Sequence, residues 1–300
     1  MSRIIIIGSS NTDMVIKSKK LPAPGETILG GKFLMNAGGK GANQAVAAAR
    51  LHGNVTFVTK IGDDIFGSEA VLLFNNEGIK TDYIIKDTVN PSGIALITVD
   101  ENGENCIVVA SGSNGTLSAP DIDDEVFRTL SSDLFLMQLE IPVSTVEFAA
   151  QKAFSKGNKV ILNPAPAQQL SDDLLKCLYL ITPNETEAEL LTGINVKNAE
   201  TAEKAATKLR SKGVENVIIT LGASGAYLQT NTISKLIPVE PVKATDSTAA
   251  GDVFNGALAV ALSEGRGLED SVNFANEAAA ISVTRMGAQA SAPYRNELRI

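Results

Sequence analysis

The sequence predicts a three-layer α/β/α domain with a mainly parallel central sheet and a small second β-sheet projecting from it. Three observations lead there. From about residue 115 onward, short apolar strands alternate with helices, the rhythm of a parallel sheet joined by right-handed crossovers. Earlier, two β-rich stretches at roughly 11–39 and 82–111 break that rhythm. The apolar fraction of 44% contains few aromatics (5%, no Trp), so the core is built from Ile, Val, Leu and Ala, the residues of strands buried on both faces. The whole chain, 1–300, is read as one such domain.

Each element has its own signal. Arg3 to Gly8 is a continuous apolar run ending in Gly8-Ser9-Ser10-Asn11-Thr12-Asp13, and continuous rather than alternating apolarity marks a doubly buried strand. Lys17 to Met35 carries Pro22, Pro24, Gly25, Gly30 and Gly31 and reads as loops and short exposed strands. Lys40 to Leu51 is a helix, because Ala42, Ala45, Val46 and Ala49 share one face. His52 lies at its end, and Gly53 closes it. Val55 to Lys60 is strand-like, and a helix follows around Phe66 to Asn76. Asp82 to Lys86, Gly93 to Val99 and Asn105 to Ala110 read as antiparallel strands, the last two joined by the turn Asp100-Glu101-Asn102-Gly103. Leu134–Leu139, Lys159–Leu162, Tyr179–Thr182 and Asn216–Leu221 are then strands. Val143–Ser155, Ala199–Lys212, Asp252–Ser263 and Leu268–Arg285 are helices.

Composition narrows function. With 26 basic and 34 acidic residues the net charge is −8, which disfavours nucleic acid and anionic membranes as partners. Two cysteines 71 positions apart, Cys106 and Cys177, make no disulfide framework and fit a reducing, cytoplasmic setting. No signal peptide or membrane-length apolar run is apparent. With a single histidine, Ser-His-Asp and multi-His metal chemistry are nearly excluded, and proton transfer falls to a carboxylate or a lysine.

Ligands of open α/β sheets sit beyond the carboxyl ends of the strands. Four polar clusters fall there: residues 8–13, Asn163-Pro164-Ala165-Pro166, residues 182–187, and Thr220-Leu221-Gly222-Ala223-Ser224-Gly225. Together they suggest a composite site. The P-loop, the dinucleotide glycine fingerprint and the protein-kinase set are all missing. Two other segments open helices. In Ala37-Gly38-Gly39-Lys40-Gly41-Ala42-Asn43-Gln44, glycines admit a ligand to the backbone and Lys40 and Asn43 offer donors to hydroxyls; the plainer reading is a flexible helix start. In Thr245 to Asp252, small residues crowd a helix N-terminus suited to an anion. Amides at Ala249, Ala250 and Gly251 would hold developing phosphoryl charge while Asp252 accepts a hydroxyl proton; alternatively Asp252 is only a cap. Glu140, after the strand at 134–139, either holds sugar hydroxyls or is simply solvated. Glu187 either belongs to an exposed acidic helical turn with Glu185 and Glu189, or helps organise a hydrated magnesium ion.

These segments, with Met137-Gln138-Leu139-Glu140, Asp246 to Gly256 and Thr284 to Gln289, extend end to end along the chain. On them the sequence resembles the ribokinase-like carbohydrate kinase family. The resemblance implies a ribokinase-like fold and ATP-dependent phosphorylation of D-ribose at O5, the first step of ribose breakdown. It implies Asp252 as catalytic base, with 249–251 as anion hole. Asn11, Asp13, Gly39, Lys40, Gly41, Asn43 and Glu140 match sugar contacts. Asn184, residues 220–225, Gly251 and Asn276 match nucleotide contacts. Glu187 matches the acid associated with magnesium. Asp246, Thr248, Ser282, Arg285, Gly287 and Ser291 match an activating potassium site, several through backbone carbonyls. The early β-insertions match a lid that also forms a homodimer contact. Rival readings are a sibling kinase for fructose, deoxyribose, 2-keto-3-deoxygluconate or a nucleoside, a non-catalytic binding module on the same fold, and an NAD-dependent oxidoreductase, which lacks its fingerprint.

Overall fold

The structure is a computed structural model that describes residues 2–128 and 133–299. Its centre is β1 (Ile4–Ile7), four isoleucines with no solvent exposure. Further strands of the main sheet are β4 (Val55–Gly62), β5 (Ile84–Asp87), β8 (Leu134–Met137), β9 (Lys159–Leu162), β10 (Leu180–Ile181), β11 (Asn216–Thr220), β12 (Ala226–Gln229) and β13 (Ser234–Ile237). Their order is β13-β12-β11-β10-β9-β8-β1-β4-β5. All neighbours run parallel except β11–β12 and β12–β13. Side chains alternate across this plane: Ile5 and Ile7 enter one apolar cluster, Ile4 and Ile6 the other.

Helices cover both faces. On the Ile4/Ile6 side lie α1 (Lys40–Arg50), α2 (Ile65–Asn76), α7 (Ala250–Ser263) and α8 (Leu268–Ser282). On the other lie α3 (Val143–Ser155), α4 (Asp172–Lys176), α5 (Glu185–Thr192) and α6 (Ala199–Ser211). This is the three-layer arrangement the sequence predicts. Residues 252–263 of α7 are all buried, as expected of a helix apolar on every side. It packs directly on α1: a Cβ at Gly256 would stand 2.7 Å from the Gln44 carbonyl oxygen, so only glycine allows this approach. Among the described residues, no helix is long and apolar enough to cross a membrane.

The second sheet has the order β3-β2-β6-β7, from β2 (Asn11–Lys17), β3 (Lys32–Gly38), β6 (Gly93–Val99) and β7 (Asn105–Ala110). The predicted insertion 11–39 corresponds to β2 and β3. The insertion 82–111 is shorter than predicted. Its first strand, β5, runs parallel to β4 on the edge of the main sheet, with Thr59 opposite Ile84. β6 is antiparallel to β7 as expected but parallel to β2. A strand's own residues do not reveal its partner, which explains both differences.

Other boundaries shift slightly. The helices predicted to end at Lys212 and Arg285 stop at Ser211 and Ser282, and the strand at 134–139 stops at Met137. α4, α5, β12 and β13 carried no assignment as elements. At the end of α1, His52 itself takes the left-handed conformation (φ 68), and Gly53 follows with its N–H on the Ala48 carbonyl. The helix is thus closed by the histidine, with Gly53 fitting tightly behind it.

Candidate active site

The strand ends converge where α1 and α7 begin. Gly39, the N-cap of α1, has φ 87, a left-handed value that glycine adopts without strain. Behind it the Lys40 amide donates to Glu140 Oε2 at 2.9 Å, and Ser9 Oγ donates to the same oxygen at 2.5 Å. Glu140 is therefore tied into the site. Asn43 and Gln44 follow on α1. Asn43 Nδ2 donates to Asp252 Oδ2 at 3.0 Å, and Gln44 Nε2 donates to Asp252 Oδ1 at 2.9 Å. Asp252 is buried in the first turn of α7. Its carboxylate receives donors from another helix rather than capping its own.

The carboxylates crowd one another. Burial pushes the Asp252 carboxyl above its ordinary range, the Lys40 ammonium and the two amide donors pull it back, and Glu140 adds to the rise. Asp13, reaching in from β2, is pushed up to about 6 by burial and by the charges of Glu140 and Asp252. Burial opposes the Lys40 ammonium, but Asp252, Glu140 and Glu187 outweigh it, so its pKa lies above the usual lysine value. The result is one lysine among acids, with donors and acceptors in reach of a polyol.

The head of α7 is unusual. Its N-cap, Ala249, is left-handed (φ 59) and has no capping side chain. The Ala250 amide bonds Ser247 O at 3.2 Å, so this amide of the predicted anion hole already has a partner. A Cβ at Gly251 would meet nothing within 4 Å, which leaves open space for a ligand on that side.

Beyond this point lie the predicted nucleotide residues. Asn184 pairs with Thr220 by an isolated parallel bridge, which joins the 182–187 and 220–225 segments. Asn184 caps α5: its Oδ1 accepts the Glu187 amide at 2.8 Å and its own amide donates to Glu187 Oε2 at 2.9 Å. Glu187 is buried rather than on an exposed turn. Burial raises its pKa, only partly offset by the Asn184 amide and Lys40. Gly222, Ala223 and Ser224 form a short exposed turn, with Leu221 N on Gly225 O at 2.8 Å. Asn276, on α8, lines an open cleft of about 850 Å³ with Pro238, Val242, Asn273 and Ala280.

The predicted cation residues also meet. Asp246 accepts the Thr248 amide on Oδ1 and the Gly287 amide on Oδ2, both at 2.9 Å. Burial raises its pKa, but the Thr248 and Gly287 donors and Lys17 outweigh that and leave it below the ordinary range. An ionised carboxylate in a loop fits a monovalent cation. The hydroxyls of Ser282 and Ser291 donate to the carbonyls of Ala279 and Ala288 and keep lone pairs for a cation, whereas the Arg285 guanidinium pairs with Glu297 and has no acceptor, so Arg285 could contribute only through its backbone. Among the described residues, no three His, Cys, Asp or Glu side chains cluster as a metal site. A divalent ion held by one carboxylate, waters and substrate phosphates fits that donor set.

Several site residues were given no role of their own from the sequence, although most lie in the segments it singled out. Asn114 is buried, donating to Asn11 Oδ1 at 2.7 Å and clasping the backbone of Ser10 at both its N–H and its C=O. It orients the side chain of Asn11. Gln44, Gln138, Asn163 and Asn255 form buried amide links between strand ends and helices.

A polar site at the carboxyl edge of a mainly parallel sheet, with a buried carboxylate at a helix head and a second sheet beside it, is the arrangement of an α/β enzyme. Residues 1–295 match the model of the pfkB family of carbohydrate kinases, and the chain belongs to that family of ATP-dependent sugar kinases. A ribokinase of Haemophilus influenzae is 47% identical over 294 residues, covering 98% of this chain and 96% of its own. A deoxyribokinase of Salmonella typhi is 38% identical over 292 residues (97% and 95%). The crystal structure of a Thermotoga maritima ribokinase has a TM-score of 0.91 at 42% identity (99% and 98%). That of an Arabidopsis thaliana ribokinase complexed with ribose and ATP has a TM-score of 0.92 at 31% identity (98% and 96%).

Proposed function

We propose that this chain phosphorylates D-ribose at O5 with ATP, with Asp252 as the base. The observation that carries the reading is the Asp252 carboxylate, buried at the head of α7 and presented by Asn43 and Gln44. Asn11, Asp13, Lys40, Asn43 and Glu140 hold the sugar so that its 5-hydroxyl faces Asp252. The carboxylate takes the hydroxyl proton as O5 bonds to the γ-phosphorus, and the bond to the β-phosphate oxygen breaks to release ADP. Phosphoryl transfer of this kind asks for positioning and charge stabilisation rather than covalent help from the protein. The Gly251 side of the helix head receives the phosphoryl charge, and Asn184, the 220–225 turn and Asn276 receive the nucleotide.

Magnesium, when bound with the nucleotide, would neutralise phosphate charge, with Glu187 as its nearest protein carboxylate. Potassium would be held by Asp246 and the carbonyls of the 246–248 and 282–291 segments, and would fix the loop before the anion hole. The β2–β3–β6–β7 sheet acts as the lid. Its apolar outer residues, including Phe33, Leu96 and Val108, support a homodimer through the lid. Two unpaired thiols accord with a reducing, cytoplasmic setting.

The test is ADP release from ATP and magnesium with a panel of ribose, 2-deoxyribose, fructose and adenosine, in potassium and in potassium-free buffer. Ribose-dependent ADP, faster with potassium, is the expected result. Preference for another sugar overturns the substrate, and no turnover with any sugar overturns the kinase reading. Asp252→Asn is expected to lower kcat by about 10²–10⁴-fold while sugar still binds; near-normal turnover removes Asp252 as base.

A further inference from the structure

One buried side chain joins the candidate base to three strand ends. Gln44 is wholly buried. Its Nε2 donates both to Asp252 Oδ1 at 2.9 Å and to Asn163 Oδ1 at 3.0 Å. Its Oε1 accepts Gln138 Nε2 at 2.5 Å. Gln138 follows β8, and Asn163 follows β9. The chain continues: Asn163 Nδ2 donates to Thr182 O at 3.4 Å, and Thr182 Oγ1 donates to Asn255 Oδ1 at 2.6 Å. Asn255 Nδ2 then returns to Gly251 O at 2.8 Å. The head of α7 is thereby held at two points, the Asp252 carboxylate and the Gly251 carbonyl, against the ends of β8, β9 and β10.

Nothing in α1 folding requires a glutamine there. An aliphatic residue would fill the same space between sheet and α7 without burying an amide, and burying a polar group is costly unless every hydrogen bond is met. The glutamine therefore serves the partners it touches. Asn43 already supplies one donor to Oδ2. The second donor, on Oδ1, opposes rotation of the carboxylate about its Cβ–Cγ bond, so that each oxygen keeps its own amide partner.

We infer that Gln44 is a positioning residue for the phosphoryl-transfer step: clamped by Gln138 and Asn163, it fixes the orientation of the Asp252 carboxylate and stabilises its ionised form. The inference rests on Asp252 being the base. The charged groups that face Asp252 are Lys40 of α1, Glu140 after β8, Asp13 of β2 and Glu187 of α5, and none is altered by changing Gln44.

The experiment measures kcat, sugar KM and the pH profile of kcat for the whole enzyme and for Gln44→Leu, Gln44→Glu and Asp252→Asn, with thermal melting of each. Gln44→Leu is expected to lower kcat about 10- to 100-fold, the scale of a misplaced catalytic group, with sugar KM within about twofold. Its acidic limb moves to higher pH, because a carboxylate that loses an N–H donor holds its proton more tightly. Gln44→Glu keeps the size and shape of the side chain, and its thermal melt shows whether the buried acid is tolerated. Its limb moves further in the same direction, since a second acid beside Asp252 raises the proton affinity of the pair. A folded Gln44 variant with unchanged kcat and limb overturns the inference, as does a fall in kcat that follows lost thermal stability while the limb stays put. Turnover surviving in Asp252→Asn overturns the base assignment itself, whatever the Gln44 variants do.

Discussion

The two sheets meet the same ligand site but are built on opposite terms. In the main sheet, β1 is sealed on both faces by helices, and its four side chains have no exposure. In the second sheet every residue of β7 is exposed, with Val108 at 62%. The first owes its stability to burial. The second has one layer and little core, and a sheet of that kind depends on what closes against it. The division carries into the site. Asp252, Asn43 and Gln44 stand on packed helices, whereas Asn11 and Asp13 stand at the root of β2 in the thin sheet. On the proposed function, the groups of the chemistry stand on the packed helices and part of the sugar recognition stands on the thin sheet. With the thin sheet acting as the proposed lid, such a division would let closure follow sugar binding and shield the phosphoryl donor from water.

The largest expected effect on this contrast is the loss of kcat in Asp252→Asn, set against Asn11→Ala, which should act mainly on sugar KM. Equal kcat losses in the two would break the division. Next in size is stability. Ile6→Ala is expected to cost about 2–5 kcal/mol in denaturant unfolding, through a cavity in the centre of the main sheet. Val108→Thr should stay within about 0.5 kcal/mol in the monomer. A comparable loss from Val108→Thr would mean that its face is covered in solution.

A smaller effect sharpens the role of Asp13. Its carboxyl is pushed up to about 6, so the folded protein holds that proton more tightly than the unfolded chain does. Stability from this group is therefore present at low pH and is lost as pH rises from about 4 through 6. Asp13→Asn should raise Tm above pH 6, leave it nearly unchanged near pH 4, and weaken sugar binding. A variant that melts lower at pH 7 would show that Asp13 is structural.

Much of this was readable from the chain. The buried strands were, because runs such as Ile4 to Ile7 allow no other reading. β13 was not: three of its four residues are exposed, and so short a strand has no periodicity of its own. β5 could be read as a strand but not placed, since pairing is a property of two segments. In the site, Gly39, Lys40, Asn43 and Asp252 were legible because glycines and a helix-head acid narrow the chemistry. Gln44 was hidden by its context. The apolar spacing of α1 puts Ala42, Ala45, Val46 and Ala49 on the core face and leaves Gln44 outside it. The structure buries residues 41–48 on all sides because α7 lies against the opposite flank. Asn114 was hidden in another way, since its partners Ser10 and Asn11 are more than a hundred residues away.

Ala249 offers a separation that catalysis seldom allows. A left-handed alanine costs about 1–2 kcal/mol relative to a relaxed one. Replacing it with glycine removes that cost but returns about 0.4–1 kcal/mol of freedom to the unfolded chain. The two changes oppose each other and the first is the larger, so Ala249→Gly should melt at or slightly above the parent protein. What it alters is the breadth of the conformations open to the first turn of α7 before any nucleotide arrives. A drop in kcat without a drop in Tm would then measure the entropy of waiting: the fraction of time the helix head is already shaped for the charge it is to receive.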